Sequence, residues 1–238
     1  EKAMVVSARE EASKIGDEIM QKGGNAFDAM VATELSLAVA FPFAGNLGGG
    51  GFMVYRKNNG EVGGIDYREK APFAAHRDMY LDSLGNVIPN MSTLGATAVG
   101  VPGTVAGVFE VHKKFGSLPM EEILEPIIEL AKRGVVVTEK QAKRLEGYHE
   151  RFVEVNGDST KFAQNFQAGD TIKYPALAQT LSVIKEKGRD GFYKGEVAQK
   201  LASFIQESGG FITEEDLAKY EAKWREPEII TYKDLKKI

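Results

Sequence analysis

The chain has 238 residues, 43% of them hydrophobic and 27% charged, a length and mix that suit a packed core in water. A formal net charge of −4, with basic residues gathered only in pairs such as Lys113-Lys114 and Lys236-Lys237, argues against a partner held through nucleic-acid phosphates. The absence of cysteine excludes disulfides, thiol nucleophiles and thiolate metal sites.

The chain opens EKAMVVSARE, with no initiator Met and no charged-then-apolar leader, and is expected to be processed or trimmed. Ala3 to Ser7 reads as a short strand. From Ala8 to Lys22 the apolar positions Ala12, Ile15, Ile19 and Met20 fall three and four apart, which describes an amphipathic helix ended by Gly23-Gly24. Asn25 with Asp28 three residues on has the form of a capping box. The helix it starts, to about Phe41, is apolar on nearly every face and is expected at the centre of the core. Its apolar run, Ala29 to Ala44, is interrupted by Thr33, Glu34 and Ser36 and falls short of the roughly 20 residues of a membrane span.

A hairpin follows, Phe52 to Lys57 and Val62 to Tyr67, turned by Asn-Gly. After Arg68 a loop region with Pro72, Pro89 and Pro102 runs to about Gly103. Helices are then expected at Thr104–Phe115, Met120–Arg133, Glu139–Gly147, Ala176–Lys187 and Gly195–Ser208, with a short helix capped by Thr213. Ile229 to Tyr232 is rich in β-formers, and a strand beginning there suggests that the chain is incomplete. Residues 1–238 are read as one α+β domain built around a sheet, without internal repeats.

The stretch AGNLGGGGFMVYR, residues 44–56, has the glycine density of a phosphate cradle but the wrong order. A cradle lies between a strand and a following helix, whose free amides meet the anion. Here a helix precedes the glycines and a strand follows, and no Gly-Lys-Ser/Thr is present. The run is expected to be architectural, with Gly48 to Gly51 letting the Phe52 strand pack beneath the apolar helix.

His76, His112 and His149 lack the i, i+3 or i+4 spacing of a metal pair and read as surface or loop residues; no metal is expected. Spacing alone leaves a Ser-His-Asp triad open, although no Gly-x-Ser-x-Gly occurs. Glu121-Glu122 and Glu214-Glu215-Asp216 read as dipole partners in first helical turns, and Met4, Met20, Met30 and Met53 as core filler. GIDYREKAP, residues 64–72, stands apart because Arg68 comes at the end of a strand and just before a loop. Such an arginine can fork both oxygens of a carboxylate. On the residues alone, an arginine that is solvated, or paired with Asp66 or Glu69, is favoured over that fork.

Six motifs then come in one order: KGGNAFDAMVA, GNLGGGGFMV, DYREKAP, GVPGTVAG, GFYKGEVA and GGFITEEDLAKYEAKWREP. In this order they resemble the γ-glutamyltransferases (γ-glutamyltranspeptidases), over essentially the whole chain. The resemblance implies an N-terminal-nucleophile hydrolase with an α-β-β-α sandwich, of which this chain is the N-terminal part of the large subunit. It implies a precursor that cuts itself into two subunits. The new N-terminal Thr of the small subunit attacks γ-glutamyl amides such as glutathione, its own amino group serving as base, and the acyl group passes to water or to an acceptor amino acid or peptide. The family's Thr-Thr-His motif has no counterpart here, so no catalytic residue is expected in this chain, which alone is expected to be inactive. The resemblance assigns Arg68, from the family's Arg-Glu-x-Ala-Pro motif, to the α-carboxylate of the γ-glutamyl group, which reverses the preference drawn from the residues alone. It implies no cofactor and a periplasmic or extracellular location, although a trimmed cytoplasmic chain would read the same. A related acylase, of the cephalosporin or poly-γ-glutamate-cleaving type, and an isolated non-catalytic binding fragment stand as alternatives.

Overall fold

The computed structural model describes residues 3–232 and 235–237. Its first helices are α1 (Glu10–Gln21) and α2 (Ala26–Ala40), followed by the strands β1 (Phe52–Arg56) and β2 (Val62–Asp66). Helices α3 (Thr104–Phe115) and α4 (Met120–Arg133) lead to β3 (Val135–Val136), the long α5 (Glu139–Asn156) and β4 (Thr171–Ile172). Then come α6 (Pro175–Lys187), α7 (Asp190–Tyr193), α8 (Gly195–Glu207), α9 (Glu214–Ala218), β5 (Lys223–Arg225), β6 (Ile230–Tyr232) and β7 (Leu235–Lys237).

Helix α2 is the centre, because ten of its 15 residues are buried and α1, α3 and α4 all pack on it. The capping box forms as the sequence predicts: Asn25 Oδ1 accepts from the amides of Phe27 and Asp28, and Asp28 Oδ2 accepts from Asn25 N at 2.9 Å. Asp28 is fully buried and also receives Ser117 Oγ at 2.5 Å and Ser117 N, which ties the start of α2 to the α3–α4 loop. The sheet that carries the site is antiparallel with order β1-β2-β5, Met53 opposite Ile65 and Ile65 opposite Trp224. Met53 and Ile65 point into the same core as Leu35, Val39 and Val105.

Three expectations need correction: the strand at Ala3–Ser7, Met4 as core filler and the end of the helix at Gly147. Ala3 to Ser7 forms no strand, and Met4 is 73% exposed rather than core filler. Helix α5 does not stop at Gly147 but continues to Asn156, because that glycine faces open space and costs only about 1 kcal/mol; Gly157, at φ 75°, ends the helix. Strand β5 joins β2 through a pairing with no local signal. The strand expected at Ile229 to Tyr232 forms as β6 and pairs with β7 in a two-stranded ladder.

Candidate functional site

Strand β2 hands the chain to the site one residue beyond its end. Tyr67 N donates to Gly51 O at 3.0 Å and Gly51 N to Tyr67 O at 3.3 Å, so the pairing continues while the Tyr67 ring turns into the core at 3% exposure. A Cβ on Gly107 would stand 2.6 Å from Tyr67 Cδ1, and one on Gly51 2.9 Å from Cε2, so this ring needs glycine on both sides. A Cβ on Gly50 would meet the backbone of the next residues, 2.8 Å from Glu69 N and 2.9 Å from Arg68 Cα. The glycine run is thus architectural, as expected; Gly45 lies against Leu37 of α2, but the close approach that Gly50 and Gly51 permit is to Tyr67–Glu69.

The loop after Arg68 is pinned to distant segments. Lys70 and Val101 exchange backbone bonds of 3.1 and 2.7 Å, and Gly103 N donates to Gly49 O at 2.7 Å. Phe73 N donates to Asp216 Oδ1 at 2.6 Å, and Tyr220 Oη to Arg68 O at 2.7 Å. Tyr220 stacks on Tyr193 with centroids 5.8 Å apart and planes 9° from parallel, and Tyr193 Oη donates to Pro102 O at 2.8 Å. Four of the sequence motifs, those containing residues 67–70, 100–103, 193 and 220, therefore meet around one short segment.

The Arg68 side chain projects from this clamp into solvent at 57% exposure, with Cζ 5.9 Å from the Phe52 ring centroid. Asp66, one of the two acids proposed from sequence to neutralise it, is taken: Arg225 Nε and Nη2 both lie 2.8 Å from Asp66 Oδ2, and Arg68 meets Asp66 only through its backbone amide, at 3.1 Å. Burial raises the Asp66 carboxyl, but the Arg68 amide and the Arg225 guanidinium outweigh it and hold the group below the usual carboxylate range. Glu69 is the nearer acid, Oε2 standing 3.4 Å from Arg68 Nε. That oxygen is buried and accepts no hydrogen bond, so it attracts Nε by charge without engaging the two terminal nitrogens. Lys70, the adjacent cation, is committed as well, its Nζ donating to Glu221 O at 2.5 Å and lying 4.6 Å from the Tyr220 ring centroid. Among the described residues, the Arg68 guanidinium makes no hydrogen bond, and Glu69 is its ion-pair partner.

A cavity of about 610 Å³ borders the clamp beside Gly48, Gly100 and Pro102 without reaching Arg68, and two others lie elsewhere. An aromatic groove of about 660 Å³ between Phe41, Phe43, Arg144, Tyr148, Phe152 and Phe162, and a second cavity of about 550 Å³ beside Glu139 and His149, both leave Arg68 outside. Arg68 stands on an open face of the chain. The histidines are apart, with His112 Nε2 bonded to Leu118 O at 2.7 Å, and no cluster of three or more His, Cys, Asp or Glu suited to a metal occurs among the described residues. No helix among them is long and apolar enough to cross a membrane.

A sequence-family model described as Gamma-glutamyltranspeptidase matches residues 12–237. The chain belongs to the γ-glutamyltranspeptidase family. It is 46% identical over 226 residues to the glutathione hydrolase proenzyme of Pseudomonas aeruginosa, aligning 94% of this chain with 40% of that protein. The structure matches the γ-glutamyltranspeptidase of Helicobacter pylori at 42% identity with a TM-score of 0.95, covering 99% of this chain and 69% of that one. A more distant match, the cephalosporin acylase of Bacillus halodurans, has 25% identity and a TM-score of 0.80, over 98% of this chain and 47% of that chain. The chain thus spans about two fifths of the length of its curated relative and corresponds to the N-terminal portion of the γ-glutamyltranspeptidase large subunit. Its mixed helix-and-sheet architecture is that of the N-terminal-nucleophile hydrolases. Tyr193, Tyr220 and Glu69 all lie inside motifs that carry the family resemblance, but nothing in their local spacing announced a contact with the Arg68 segment.

Proposed function

We propose that this chain is the substrate-gripping half of a γ-glutamyltransferase or glutathione hydrolase, and that Arg68 receives the α-carboxylate of the γ-glutamyl group. The observation that carries this reading is the unclaimed guanidinium. Asp66 is neutralised by Arg225, Lys70 is bound to a backbone carbonyl, and Arg68, more than half exposed with Glu69 Oε2 3.4 Å from its Nε, makes no hydrogen bond through either terminal nitrogen. A charged fork of this kind, on a backbone held from several sides, suits a planar carboxylate and contributes roughly 1.5–3 kcal/mol. The acyl-transfer chemistry is assigned to an N-terminal Thr on a small subunit released by self-cleavage of the precursor, with water, an amino acid or a peptide as acceptor. The mature enzyme is placed in the periplasm or outside the cell. The higher identity to the glutathione hydrolase, 46% against 25% for the cephalosporin acylase, supports the glutamyl reading over the acylase one.

The test is Arg68→Lys in the assembled, self-cleaved enzyme, assayed by release from γ-glutamyl-p-nitroanilide. Lysine keeps the charge and loses the fork, so KM for the donor is expected to rise roughly ten-fold. An unchanged KM would sink the assignment.

A further inference from the structure

We propose that Tyr220 is a positioning residue for Arg68, its phenol holding the backbone from which the guanidinium projects. The inference rests on the reading of Arg68 as the carboxylate fork. An arginine that is more than half exposed gains little direction from its own packing, so its aim is set at its Cα by the two peptide units on either side. The amide side is held locally, by Asp66 Oδ1 at 3.1 Å. The carbonyl side is held by Tyr220 Oη at 2.7 Å, from 152 residues away.

Tyr220 is itself over-determined. It is 2% exposed, stacked face to face on Tyr193, covered by the Lys70 ammonium at 4.6 Å, and its carbonyl accepts a bond from Arg189 Nη2. A Cβ on Gly103 would lie 2.6 Å from Tyr220 Cζ, so that position must be bare for the ring to enter. Phenylalanine would fill the same space. What the hydroxyl adds is the bond to Arg68 O, since a buried hydroxyl is costly unless it is paired. Burial pushes the phenol up to about 12, so it remains a proton donor across the range in which an enzyme works.

The experiment is a double-mutant cycle in the assembled enzyme: Tyr220→Phe, Arg68→Lys and the pair, with KM and kcat measured for γ-glutamyl-p-nitroanilide. Y220F is expected to raise KM roughly three- to ten-fold with kcat within about twofold, the range that follows from losing one neutral hydrogen bond. In the R68K background, where the fork is already gone, Y220F is expected to raise KM by less than about twofold. KM does not depend on the active fraction, so a variant that matures poorly still reports. If R68K raises KM and Y220F leaves it unchanged, the positioning role fails while the Arg68 reading stands. If the two effects multiply independently, Tyr220 acts by another route and the inference fails. If R68K itself leaves KM unchanged, the underlying reading falls and takes this one with it.

Discussion

Glu34 shows what a single carboxylate does when the fold gives it no counter-charge. It lies on α2 between the buried Thr33 and Leu35, and burial alone pushes its carboxyl above the usual range. The folded protein therefore binds this proton more tightly than the unfolded chain does. Stability from this site is full below the ordinary carboxylate range and is lost as pH rises through the raised value. Glu34→Gln is expected to raise Tm at pH 8 and to change it little at pH 4, as thermal unfolding at the two pH values would reveal. An equal gain at both would assign the effect to packing instead. Arg68 is the opposite case, a charge left in water with its terminal nitrogens unused, which is why its replacement by lysine is expected to be felt in substrate binding rather than in stability.

At the scale of elements, the start of α2 is a junction as well as a cap. The Asp28 carboxylate is buried and bonds to the Asn25 amide and to both the amide and hydroxyl of Ser117, so its loss would break charge-assisted bonds to two segments at once. Asp28→Ala is expected to cost roughly 3 kcal/mol, measurable as a lower midpoint in urea. Helix α5 offers the reverse test. Gly147 sits in mid-helix with nothing within 4 Å of where a Cβ would stand, so Gly147→Ala should raise stability by roughly 0.5–1 kcal/mol. No gain would mean that α5 does not limit stability.

Those two helices also show which elements the sequence declares and which it hides. The Asn25–Asp28 box and the all-round apolar pattern announced α2 because caps and periodicity are local properties. A single glycine was over-read as the end of α5, when its cost is small beside the propensity of the residues on either side. Strand β5 was missed because Lys-Trp-Arg has no alternating apolar face, and its identity as a strand comes from Gly64 to Asp66, about 160 residues earlier in the chain.

For the molecule as a whole, Arg68 was singled out by its place at a strand end and given its assignment by resemblance, whereas the clamp that holds it is made mostly of long-range contacts. Tyr193 and Tyr220 carry no helical or strand periodicity that would point them at residue 68. The activity prediction also belongs at this scale. Release from γ-glutamyl-p-nitroanilide is expected from the self-cleaved precursor and not from residues 1–238 alone. Mass analysis of the natural protein is expected to find a second, smaller chain that begins with Thr. Turnover by residues 1–238 alone would place the nucleophile inside them and overturn the division of labour proposed above.

The bond from Tyr220 to Arg68 also sets a clock. During synthesis the 152 residues between them take on the order of 10 to 30 s to be made, and until then the Arg68 carbonyl has no tyrosine to hold it. The glycine slot and the β1–β2 hairpin can form early, since their parts are close in sequence. The grip comes only when residues near 220 leave the ribosome and close one of the long loops of the site. A nascent chain halted before Tyr220 would display the arginine without the bond that holds its carbonyl, so the arm proposed to read the carboxylate becomes competent only once residue 220 has been made.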